Sequence, residues 1–92
     1  MNELRRWLEA RLTEAPPSLR QRIERVLDRH VPARTTSLAQ ELRSLADVLL
    51  AEAKEGPASR ETALTLLAAD ALVTYACEVT AESEPARLAD LR

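Results

Sequence analysis

Two carboxylates, one imidazole, one thiol and a row of guanidinium groups are the side chains of this 92-residue sequence that could do chemistry by type and spacing. Asp70 and Glu78 share one apolar stretch, with Thr74 between them. On a helix, eight residues at a rise of about 1.5 Å place the two carboxylates about 12 Å apart. That is too far for one metal ion or for the paired carboxylates of a retaining glycosidase. The Glu-x-x-His signature of di-iron bundles is absent from the sequence. Asp70 and Glu78 therefore read as a solvated stripe or as polar contacts to a partner.

His30 is the only histidine and Cys77 the only cysteine. One nitrogen and one sulfur fall short of a zinc ligand set, so no metal is expected. His30 ends a helical segment, where an imidazole can interact with exposed carbonyls. Cys77 sits among Val73, Ala76 and Thr80 and reads as a small packed hydrophobe. A lone cysteine forms no disulfide within the chain and carries no sign of an oxidising compartment. With one Gly, one His and one Cys, nucleophile triads and glycine-rich phosphate loops cannot be built, so neither an enzyme nor a cofactor is expected.

Arg22, Arg25 and Arg29 recur at helical spacing with Arg20 beside them, a row that suits phosphate binding. Glu24 follows Arg20 by four residues and Asp28 follows Arg25 by three, so the row is partly compensated on its own helix. The formal net charge is −2, which gives no general attraction to nucleic acid or anionic membrane. Residues 1–46 hold nine Arg against six acids, and residues 47–92 hold four basic residues against nine acids. A nucleic-acid-binding regulator using the arginine row is the second functional reading.

The apolar content that must position these groups is sixteen Leu and sixteen Ala, five Val, one Ile, one Met, one Trp, one Tyr and no Phe. This palette favours helix over strand and predicts an all-α domain spanning residues 1–92. Breaks at Pro16-Pro17, Val31-Pro32, Gly56-Pro57 and Pro85 divide it into a small four-helix bundle with a short C-terminal tail or extra helical turn. The expected helices cover about 3–15, 18–30, 37–55 and 59–83, with a tail at 84–92 in which Leu88 and Leu91 could dock. Asn2 suits the first N-cap; Ser18 with Gln21, and Ser37 with Gln40, have capping-box spacing. Leu38, Leu42, Leu45 and Leu49 make a seam at alternating spacings of four and three. Gly56 suits the left-handed position after a helix end.

The fourth helix differs from the others in being apolar around most of its circumference. Leu64, Ala68, Ala71, Leu72, Tyr75 and Val79 form one sector, and Leu66, Ala69, Val73, Ala76 and Cys77 form another. It is expected to be the central helix, or to lend one face to another chain. Candidate interface residues are Leu66, Val73, Leu72, Tyr75 and Trp7, with Arg22, Arg25, Arg29, Asp70 and Glu78 as candidate polar partner contacts. The charged residues Glu3, Arg5, Arg6 and Glu9 argue against a signal peptide. Asp70 interrupts the longest apolar stretch, so no membrane span is expected and the chain reads as soluble and cytoplasmic.

The segment Leu66-Leu-Ala-Ala-Asp-Ala-Leu-Val-Thr-Tyr-Ala-Cys-Glu-Val79 resembles the helix of trans-prenyltransferases that reads ILAGDALLTLAFE. It covers fourteen residues, and Asp70, Thr74 and Glu78 fall where that pattern is polar. The family's DDxxD motifs, which hold magnesium and diphosphate, are absent. The resemblance thus implies a non-catalytic helical relative, such as a subunit of an enzyme complex, and carries over no functional residue. The leading expectation is a non-enzymatic protein-protein interaction module or accessory subunit that self-associates through helix 59–83.

Overall fold

A computed structural model describes residues 3–31 and 37–83. Four helices follow in order: α1 (Glu3–Leu12), α2 (Pro17–Arg29), α3 (Leu38–Glu55) and α4 (Arg60–Ser83). The all-α bundle expected from composition is what forms. Asn2, Pro32 and the tail at 84–92, with Leu88 and Leu91, lie outside the described residues.

Prolines set the first two boundaries. α1 stops at Leu12 rather than at residue 15, and Glu14 and Ala15 donate instead to the carbonyls three residues back, at 3.2 Å each. A residue before proline is pushed out of the α region, so the chain leaves the helix as it nears Pro16-Pro17. α2 then begins at Pro17, one residue before the expected start, with Pro16 at the N-cap and no side-chain cap. The Ser18–Gln21 capping box does not form. Proline at the first helical position has its φ preset and removes one of the N–H groups that a helix start leaves without a partner.

At α3 the capping box forms as its spacing predicts. Gln40 N–H donates to Ser37 Oγ at 3.2 Å, and Ser37 N–H donates to Gln40 Oε1 at 2.9 Å. At its other end Gly56 is extended (φ −81°, ψ 159°), not left-handed. Pro57 is the reason, since it biases the residue before it toward extended backbone. Glycine is suited here by space rather than by φ. A Cβ at residue 56 would meet Thr62 Oγ1 at 2.7 Å, and that hydroxyl is already engaged with Ser59, whose Oγ also caps Thr62 N–H at 3.2 Å. Gly56→Ala should accordingly destabilise the fold by about 1–2 kcal/mol, within the range of overpacking. Thr62→Ala in the same chain should restore most of the loss in a urea titration.

The core is a leucine and alanine interior. Leu4, Leu8 and Leu12 of α1 meet Ile23, Val26 and Leu27 of α2 and Leu42, Leu45, Ala46 and Leu49 of α3, with Ala68, Ala69, Leu72 and Ala76 from α4. Small residues on α4 allow a close helix approach, and the α3–α4 pairing is the most extensive in the fold. The four-residue connection between them returns the chain, so α3 and α4 form an antiparallel hairpin against which α1 and α2 pack. α4 is not enclosed on all sides as a central helix would be. Its sector carrying Leu72 and Ala68 is buried, whereas Leu66, Leu67 and Val73 are 51%, 57% and 45% exposed.

Candidate functional site

The exposed side of the α3–α4 hairpin forms an open groove of about 680 Å³. Leu50 of α3 and Leu66, Leu67 and Val73 of α4 supply its apolar walls, Ala46 and Ala69 its floor, and Asp47 and Asp70 line it from opposite helices. It gathers four of the six large hydrophobic side chains exposed among the described residues. Thr74 Oγ1 donates to the Asp70 carbonyl at 3.1 Å, so the threonine satisfies its hydroxyl on its own helix and leaves the Asp70 carboxylate to solvent.

Two of the five expected interface residues, Leu66 and Val73, lie on this surface. Leu72 does not: it is fully buried against the rest of the bundle. The 100° step between residues carries it from the Val73 side to the core side. Leu50 and Leu67 belong to the groove and were missed. Their signal was their position just beside well-patterned leucines: Leu49 completes the buried seam of α3, so the leucine next to it must point elsewhere. Cys77, expected to pack, is exposed.

Trp7 and Tyr75 meet each other within the chain. Their rings are 5.5 Å apart at 67°, an edge-to-face pair joining α1 to α4. The Arg11 guanidinium lies 4.9 Å from the centre of the Trp7 ring. It also pairs with Glu78 at 2.6 Å, a charge contact without hydrogen-bond alignment, and with Glu82 at 3.5 Å. Glu78 is thus tied to α1, while Asp70 faces the groove, and the two carboxylates do not share a site. Burial holds the Tyr75 hydroxyl above its ordinary value of 10.0, and the nearby Glu78 adds to the rise against the opposing pull of Arg11. The absorbance titration of this single tyrosine should therefore have its midpoint above 10, moving down in Glu78→Gln. A raised value in the folded state means that the unfolded chain ionises first. The stability from Tyr75 is complete below pH 10 and declines as pH climbs beyond it.

The arginine row is divided among partners. Arg22 pairs with Glu61 and donates to Thr65 Oγ1 at 3.0 Å, crossing from α2 to α4. Arg29 donates to Glu52 of α3 at 3.0 Å. Arg25 keeps an exposed side chain beside them, in a shallow depression that Asp28 and Glu52 also line. A phosphate would have to compete with two acids already in place. At the end of α2, His30 Nε2 is 3.6 Å from Glu41 Oε1, both side chains are mostly buried, and Nε2 has no hydrogen-bond partner. Among the described residues no group of three His, Cys, Asp or Glu side chains is placed to hold a metal ion.

By length and composition alone, residues Arg60–Glu82 suffice to cross a membrane, contrary to the expectation that Asp70 rules this out. Abundant Leu, Ala and Val offset the single aspartate. In this fold 28% of the most apolar stretch is buried, and its covered side is the core of the bundle. Comparison with models of protein families, with curated proteins and with solved structures finds no match to the chain, so the fourteen-residue likeness to the trans-prenyltransferase helix extends to no family assignment.

Proposed function

We propose that this protein is a helical interaction module that self-associates through the apolar face of the α3–α4 hairpin. The observation that carries the reading is the row of half-exposed Leu66, Leu67 and Val73 on a helix whose opposite side is fully packed. Fully burying a leucine is favourable by about 1.5–3 kcal/mol, so a face of this kind gains most from an equally apolar partner. The groove belongs to the most extensively packed helix pair of the fold, and a preformed surface loses little conformational freedom on docking.

Asp47 and Asp70 support a protein partner over lipid. Carboxylates beside the apolar walls are solvated or paired in a protein interface, whereas hydrocarbon penalises them. Light scattering of the full chain over a wide concentration range, at low and moderate salt, tests the proposal. A mass rising from the 10.2 kDa of one chain toward twice that value is expected. A mass fixed at one chain throughout would sink it.

A further inference from the structure

Resting on that reading, we infer that the second copy docks antiparallel, α4 on α4 and α3 on α3, about a two-fold axis crossing the hairpin at the level of Leu50 and Leu66–Leu67. The inference comes from where the charges of this face stand. Asp47, Leu50 and Lys54 follow one another on α3 at spacings of three and four, and Arg60, Ala63, Leu67 and Asp70 do so on α4, so each series lies along one side of its helix. All seven residues are exposed. Asp47 and Asp70 line the groove together, so the carboxylates of the two helices share one level, and the cations share another near the connection. None of Asp47, Lys54, Arg60 and Asp70 forms an ion pair among the described residues.

A two-fold axis makes each contact reciprocal: if residue i meets j of the mate, then j meets i. With the axis across the helices between Leu66 and Leu67, Leu66 lies against Leu67 of the mate. Asp70 falls opposite Ala63, three residues (about 4.5 Å along the helix) from Arg60 and within reach of its side chain. The same axis crosses α3 beside Leu50, because Leu50 and Leu66 share a level in the groove, and it sets Asp47 opposite Lys54. Every charge on the face thereby meets its opposite. An axis parallel to the helices gathers the four carboxylates at one level and the four cations at another, which like-charge repulsion disfavours. The leucines supply the affinity, and the four rim pairs fix direction and register.

Disulfide trapping in the full chain with Cys77→Ala reads this geometry directly. Both probe sites, Leu67 and Val73, are exposed, so substitution there leaves the core intact. In the antiparallel pair Leu67→Cys lies about one residue from its mate, whereas Val73→Cys lies thirteen residues, about 20 Å, from its own. Disulfides need Cα atoms within about 7 Å. The expected result at concentrations where light scattering reports a dimer is a cross-linked band for Leu67→Cys and none for Val73→Cys. Cross-linking of both overturns the arrangement in favour of a parallel pair. A dimer that cross-links at neither position overturns it while leaving self-association intact. A protein that stays at the mass of one chain at every concentration overturns both and leaves the groove to a different partner.

Discussion

Replacing Leu72 with Ala should lower the melting temperature by about 15 °C in calorimetry. The side chain is fully enclosed on α4, among Ala68, Ala69 and Ala76 of its own helix and leucines of its neighbours. Truncating a buried leucine loses its transfer free energy and leaves a cavity, together about 3 kcal/mol. For a domain of this size each kcal/mol corresponds to about 4–8 °C. Three of the four positions one turn away on α4, Ala68, Ala69 and Ala76, are too small to refill the space, and the fourth, Tyr75, is held by its ring contact with Trp7. A loss under about 1 kcal/mol would mean that Leu72 is not enclosed, and the assignment of the two faces of α4 would be reversed. Leu66→Ala, on the opposite side, should change the melting temperature of the isolated chain by only a few degrees.

That contrast also marks where the sequence stops being legible. The helix count and class follow from Leu and Ala content and from the spacing of the prolines, because those act within a few residues of themselves. The Ser37–Gln40 box is local in the same way and forms as its spacing predicts. Ser18 fails because the preceding prolines start the helix earlier, and Gly56 fails because the following proline overrides a left-handed cap. α4 is ambiguous for a different reason. Both of its sectors are apolar, so periodicity cannot tell which one α2 and α3 will cover. Only tertiary packing decides, and it sends Leu72 inward and Leu66 outward. The ion pairs that occupy Arg11, Arg22 and Arg29 join different helices, and helical spacing alone carries no information about them. The arginine row is an inter-helix brace more than a free cationic surface, which weakens the nucleic-acid reading without any change in net charge.

Placing aspartate at both Leu66 and Leu67 should hold the protein at one chain, 10.2 kDa, across the concentrations at which the unaltered chain associates. Both leucines are more than half exposed in the isolated chain, so the change adds carboxylates to water and leaves helix content and melting temperature close to the starting values. In the associated state the same positions meet each other across the two-fold axis. The substitution removes four leucine side chains from the interface and brings four carboxylates together beside the existing Asp47 and Asp70. Losing the burial alone weakens association by about 4 kcal/mol if each of the four leucines contributes only about 1 kcal/mol. That corresponds to about a thousandfold in Kd, and repulsion adds to it. Sedimentation equilibrium separates the outcomes cleanly, since circular dichroism on the same samples reports whether the fold survives. A folded variant that still associates as tightly as the parent would place the interface elsewhere on the molecule. In that case the apolar face of α4 would have to be covered by something other than its own copy.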